Sequence, residues 1–255
     1  MKKIGIIQGR LSRPTEGFQD CPVKWEDEFE ALPELGLNHI EWVITKERYF
    51  ENPIHTINLQ SYNISSVCVD FMVDKNFLND EIYWEHFNNI CQRALLNEIP
   101  FITIPLLEGS SVVSPAARRA FIARLQRYIL IYPSLKFSIE AELSANDLLE
   151  IVDLSPNIYV TYDTGNLTSL GVNHTYYIDQ IQHKINNVHL KDRDRAAQSY
   201  LPGLGETDFP LILNELKKIG YDSLYTLQTA RGIEGEEKQT ILNHKNYFKE
   251  IYNVS

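Results

Sequence analysis

Four polar residues interrupt apolar runs that have no structural need of them. Glu140 lies in Phe-Ser-Ile-Glu-Ala-Glu, Asp163 in Val-Thr-Tyr-Asp-Thr-Gly-Asn, His189 in Asn-Val-His-Leu-Lys-Asp and Gln228 in Tyr-Thr-Leu-Gln-Thr-Ala-Arg. A carboxylate that loses its hydration is stable only opposite a cation, a metal or good hydrogen-bond donors. Two carboxylates and an imidazole arriving from neighbouring strands would form a donor set of charge about −2 for one divalent ion. Mixed oxygen and nitrogen ligation suits manganese, cobalt, iron or zinc and admits magnesium. The structural alternative pairs Glu140 and Asp163 with Arg or Lys and makes His189 a hydrogen-bonded core histidine. The other histidines, at 39, 55, 86, 174, 183 and 244, read as structural or solvated, with His86, His183 and His244 inside helices.

Eight short apolar runs supply the strands that such residues would end: Lys3–Gln8, His39–Val43, Ser65–Asp70, Phe101–Pro105, Lys136–Ala141, Ile158–Tyr162, Ile185–Leu190 and Ser223–Gln228. Between them apolar residues recur at three- and four-residue spacing, as in Trp84, Phe87, Cys91, Ala94 and in Ala117, Phe121, Leu125, Tyr128, which predicts amphipathic helices. Ser114-Pro115 and Ser144 with Asp147 are helix starts, Gly36 and Gly220 are stops, and Pro33 should shorten or kink the first helix. Successive strands begin about 31 residues apart, the size of a strand–helix–strand unit. Eight such units in 255 residues predict an α/β fold, a (β/α)8 TIM barrel, as a single domain over residues 1–255. An open doubly wound sheet would carry a glycine-rich phosphate turn, and Gly5 with Gly9 does not make one.

The carboxyl ends of barrel strands carry the chemistry. Polar residues gather there: Arg10, Glu41, Asp70, Glu108, Glu140 with Glu142, Asp163, Lys191-Asp192 and Arg231. Arg10, Glu41, Lys191 and Arg231 are candidate substrate contacts. Lys191, Arg193, Arg195 and Arg231 fall after the seventh and eighth strands, where many barrels hold a phosphate.

Composition narrows the partners. With 34 acidic against 24 basic residues the formal charge is −10, which disfavours nucleic acid and acidic membranes. Cys21, Cys68 and Cys91 form no metal or disulfide pattern, and the short apolar stretch after Met-Lys-Lys is no signal peptide, so a reducing cytoplasm is expected. No run approaches the roughly 20 apolar residues that span a membrane. The sequence carries no signal for an oligomeric state.

The series Lys3-Ile4-Gly5-Ile6, Leu35-Gly36-Leu37, Ile40-Glu41, Ile139-Glu140, Tyr162-Asp163-Thr164-Gly165-Asn166, Val188-His189-Leu190-Lys191-Asp192 and Leu204-Gly205-Glu206-Thr207-Asp208-Phe209 resembles the sugar phosphate isomerase/epimerase family, the xylose isomerase-like barrels. The resemblance implies one divalent metal held by Glu140, Asp163, His189 and a residue of the eighth strand, here Gln228. Where ketose epimerases of that family carry a glutamate as second catalytic base, this chain has an amide, which binds a metal but shuttles no proton near neutral pH. The resemblance also places Asn166 and Arg195 as substrate contacts. The DNA-cutting relatives use extra histidines that this chain lacks at the corresponding strand ends.

The implied reaction is isomerisation or epimerisation of a sugar or sugar phosphate through a metal-stabilised enediolate, with Glu140 as base. Moving a proton along one face needs a single base, so Gln228 favours isomerisation or elimination of water. Glu108, if it supplied the missing acid, would restore epimerisation. The alternatives are a metal-dependent dehydratase or lyase on a polyol or keto-sugar, and a sugar-binding barrel without catalysis.

Overall fold

The computed structural model describes Met1, residues 3–13 and residues 22–254. In chain order the elements are β1 (Lys3–Ile7), α1 (Glu26–Leu35), β2 (Ile40–Val43), β3 (Ile64–Cys68), α2 (Glu81–Leu96), β4 (Phe101–Leu106), α3 (Pro115–Ile131), β5 (Lys136–Ala141), α4 (Ala145–Val152) and β6 (Ile158–Asp163). They continue as α5 (Thr164–Leu170), α6 (His174–Ile181), β7 (Ile185–Leu190), the hairpin strands β8 (Asp192–Arg193) and β9 (Ser199–Tyr200), α7 (Phe209–Lys218), β10 (Leu224–Leu227) and α8 (Glu237–Val254). Single 3-10 turns lie at Pro53–His55, Asp70–Met72 and Glu108–Ser110. The eight long strands are hydrogen-bonded in the order β1-β10-β7-β6-β5-β4-β3-β2 and close into a barrel, while β8 and β9 pair apart from it. The pairings are parallel, with Ile4 opposite Tyr225, Val188 opposite Tyr225 and Ile139 opposite Val160.

Each strand expected from the sequence forms with its ends within two residues of the expected ones. The reason is burial: a strand covered on both faces is apolar along its whole length. The caps behave as their chemistry requires. Ser114 accepts from Ala117 N and Ser144 from Asp147 N, and Gly36 closes α1 in the left-handed conformation at φ 59°. Pro33 sits in the last turn of α1, which runs through it to Leu35. His183 falls in the turn after α6 rather than in a helix, because α6 already stops at Ile181. Helix α5 was not anticipated; Thr-Gly-Asn-Leu-Thr-Ser has weak helix propensity, and the turn is imposed by its cap and by packing.

Contacts group the chain into two compact units, residues 42–161 and residues 1–41 with 162–255. In the first, the expected helix stripes carry the packing: Trp84, Phe87, Cys91 and Ala94 of α2 are buried with Phe121 and Leu125 of α3. Phe87 lies edge-on to Tyr128 at 4.8 Å and 6.0 Å from Phe137 of β5. Cys68 and Cys91 are buried thiols outside any disulfide among the described residues, and burial raises the Cys91 pKa; Cys21 lies outside the described residues. The second unit packs α7 on α8 through Phe209 and Phe248, 4.8 Å apart.

Three buried imidazoles make the fold acid-sensitive. Burial drives His39, His174 and His244 to about 4 from the ordinary 6.5. In the unfolded chain each takes up a proton near pH 6.5, whereas the folded chain resists until about pH 4. Stability therefore falls as pH drops through that window and levels off below it, by up to about 3 kcal/mol for one such group. The urea midpoint should decline between pH 6.5 and 4, and His244→Gln should flatten the decline; identical slopes for the variant and the wild type would refute this origin.

Candidate metal centre

The Asp-Thr-Gly-Asn segment uses each residue for a separate contact. Asp163 ends β6 and caps α5, its Oδ1 accepting from Asn166 N at 2.7 Å. That leaves Oδ2, in a residue only 2% exposed, without a hydrogen-bond partner among the described residues. The Thr164 hydroxyl lies 2.7 Å from Lys191 O and 3.0 Å from His189 O, and accepts from Lys191 N at 3.0 Å, which ties α5 to the end of β7. Gly165 permits that approach, since a Cβ there would lie 2.9 Å from Lys191 Cγ and 3.0 Å from Lys191 O.

His189 on β7 is fully buried. Its Nδ1 lies 3.8 Å from Asp163 Oδ2, and its Nε2 lies 2.9 Å from Glu41 Oε2. Glu140, Asp163 and His189 each offer a ligand atom, and these atoms lie within 4.8 Å of one another. Gln228 follows β10, is 7% exposed, and its Oε1 has no hydrogen-bond partner among the described residues. Lys191 Nζ approaches Asp163 Oδ2 only to 3.8 Å, beyond hydrogen-bond distance. Asp163 Oδ2, a buried oxygen without a donor among the described residues, forms with the Glu140 carboxylate and the His189 imidazole a donor set that fits a divalent metal.

The other expected site residues have different surroundings. Glu41, expected as a substrate contact, is fully buried and accepts from His189 Nε2 and from Asn187 Nδ2 at 2.8 Å. Asn166 and Lys191, expected as substrate contacts, are buried, with Asn166 N donating to Asp163 Oδ1 and Lys191 Nζ 3.8 Å from Asp163 Oδ2. Arg195 is 65% exposed in the turn between β8 and β9, 3.8 Å from Glu206. Glu108 is exposed at the turn after β4, with φ 45°. Arg231 donates to the carbonyl oxygens of Ser12 and Gly9, so it clasps the loop after β1. Arg10 in that loop is 2% exposed and donates from Nε to Thr229 O at 3.0 Å. Burial and the nearby Arg231 charge lower the Arg10 pKa to about 9, which leaves it cationic at neutral pH.

Sequence reading missed Glu28, Asn187 and Thr226. Glu28 on α1 is 2% exposed and accepts from Gly9 N, Leu11 N and Ser12 Oγ, so it shapes the turn that carries Arg10; burial raises its pKa against those hydrogen bonds. Asn187 and Thr226 lie two residues before His189 and Gln228, hence on the same strand face. A period of two through polar strand residues was the available signal. Asp192, in the expected His-Leu-Lys-Asp motif, accepts from Gly203 N, Gly205 N and Thr207 N and so holds the loop before α7.

Solved structures of the same fold include a D-tagatose 3-epimerase-like protein, at 18% identity and TM-score 0.74, with 99% of this chain and 97% of that one covered. An L-ribulose 3-epimerase matches at 14% identity and TM-score 0.77 over 100% and 95% of the two chains. The IOLI protein with a bound zinc atom matches at 14% and 0.73 over 99% and 98%. No curated protein matches by sequence. The family described as xylose isomerase-like TIM barrel matches residues 29–250, most of the length, and the chain belongs to that family.

Proposed function

We propose that this chain is a divalent-metal-dependent enzyme that moves a proton on the carbon beside a sugar carbonyl. The observation that carries the reading is the approach of the Glu140, Asp163 and His189 ligand atoms to within 4.8 Å. The metal ligands are these three and Gln228. Two of the matched folds being a 3-epimerase and a 3-epimerase-like protein supports the sugar as substrate. A bound divalent ion would polarise the sugar oxygens and acidify the neighbouring C–H bond.

The chain's own groups divide the remaining work. Glu140, 3% exposed, takes the proton and returns it. Lys191 and Asn166 orient hydroxyl groups beside Asp163, and Arg10 closes the rim from the loop that Glu28 shapes. The Gln228 amide is neither acid nor base near neutral pH, so a single base serves one face of the sugar, which favours aldose–ketose isomerisation. Elimination of water from a keto-sugar is the second reading, favoured by the same lack of a paired base. Arg231 already holds two main-chain carbonyls, which favours an unphosphorylated sugar over a sugar phosphate.

Metal analysis of purified protein, then solvent-deuterium exchange over a panel of aldoses, ketoses and their phosphates, tests the reading. We expect about one ion per chain and exchange into at least one sugar. Metal and sugar binding without exchange would make the chain a binding protein instead. Gln228→Glu adds a ligand charge and should tighten metal by about tenfold while introducing a trace of epimerisation. Unchanged affinity would remove residue 228 from the ligand set.

A further inference from the structure

The interior beneath the candidate metal centre is polar, and its hydrogen bonds run in a single direction. Three strand pairs, His39 with Glu41, Asn187 with His189 and Thr226 with Gln228, each place two polar residues on one strand face. The Thr226 hydroxyl donates to Asn187 Oδ1 at 2.9 Å. The amide of Asn187 therefore turns its Nδ2 outward, and it donates to Glu41 Oε2 at 2.8 Å. Because the only hydroxyl proton of Thr226 is spent on Asn187, His39 Nε2, 3.2 Å from Thr226 Oγ1, must be the protonated nitrogen there. Gly5 provides the space: a Cβ at that position would lie 2.2 Å from His39 Cδ2.

Glu41 Oε2 ends this chain of donors and is also the atom that faces His189 Nε2 at 2.9 Å. A carboxylate there accepts from both sides, so the imidazole carries its proton on Nε2 and presents the Nδ1 lone pair toward Asp163 Oδ2, 3.8 Å away. An amide in the middle of the chain passes no proton, so the network positions groups and conducts nothing. We infer that Glu41 is the positioning residue that sets the tautomer of His189 and strengthens it as a ligand, and that Asn187, Thr226 and His39 hold Glu41 in register for that task. The inference rests on the metal-dependent reading above. A carboxylate behind a ligating histidine fixes the ring and raises its basicity, and losing one weakens metal binding by about 10- to 100-fold.

The test uses full-length protein with nitrogen-15-labelled histidine and two variants. Glu41→Ala removes the acceptor, whereas Glu41→Gln keeps an oxygen for His189 and Asn187 and loses only the charge. In metal-free wild type the His189 spectrum should show the Nε2–H tautomer, in Glu41→Gln it should persist, and in Glu41→Ala it should be lost. Zinc titration by calorimetry should then give a dissociation constant raised about 10- to 100-fold in Glu41→Ala and by less in Glu41→Gln. Wild-type spectra with the proton on Nδ1 would overturn the inference, as would both variants binding zinc within twofold of wild type. If Glu41→Ala does not fold, the near-isosteric Glu41→Gln decides: equal affinity together with an altered tautomer contradicts the proposed role. Failure of wild type to bind zinc, manganese, cobalt, iron or magnesium would overturn the metal-dependent function itself, and the metal-free spectrum would still decide what Glu41 does to the imidazole.

Discussion

Glu140→Gln should reduce solvent-deuterium exchange into the substrate by about three orders of magnitude, inside the range that a positioned general base contributes. Glutamine preserves the volume and one oxygen donor, so metal should remain bound, and a spectrum of folded protein with stoichiometric metal is the control. Glu140 sits at the penultimate residue of a strand whose neighbours Ile139 and Ala141 are buried, so the side chain has little freedom to be replaced by another group moving in. If exchange persists in the variant, a different residue removes the proton. Glu108 is the first to examine, and because it is exposed on a turn, Glu108→Gln should then abolish what remains. That result would withdraw the single-base isomerase reading while leaving the metal site intact.

Asp163 should show two separable losses, because its two oxygens have different partners. Asp163→Ala removes the cap of α5 together with the inward oxygen, so stability should fall by about 1 kcal/mol and metal affinity by at least about 100-fold. Asp163→Asn can still cap, since its amide oxygen is able to accept from Asn166 N, but the atom then turned inward is the amide nitrogen, which has no lone pair for a metal. Its urea midpoint should stay close to that of wild type while its metal affinity falls nearly as far as in the alanine variant. Measuring both quantities in both variants separates folding from ligation. An asparagine variant that binds metal within twofold of wild type would remove Asp163 from the ligand set.

Neither variant's logic was visible before the fold was known, although the residues themselves were. Asp163 stood out because an acid ends an apolar run, but its division into a capping oxygen and an inward oxygen depends on α5 starting at Thr164, a helix that local propensity does not favour. Glu41 stood out at the end of β2 as a substrate contact. Its burial behind His189 follows from the pairing of neighbouring strands, which is a long-range property. Arg231 was legible as a rim cation, and only the folded loop after β1 revealed that carbonyls of Gly9 and Ser12 take up its guanidinium. Glu28 was hidden among the acidic residues of the first turn of α1, Glu26, Asp27 and Glu28, which look like solvated residues favoured by the helix dipole.

The amino-acid sequence by itself determined the strands, several helix ends, the barrel and the identity of the inward acids and histidine. Burial on both faces leaves an unbroken apolar run, caps and glycines have local chemistry, and a polar residue within such a run is conspicuous without any partner being known. What only the tertiary structure decided is which atom of each residue faces which neighbour. Hydrogen-bond direction, the tautomer of His189 and the spending of Arg231 on main-chain carbonyls arise between segments far apart in the chain, such as Glu41 and His189, separated by 148 residues. Local periodicity records which face a side chain occupies; the strand register and the closing of the barrel choose what it meets there.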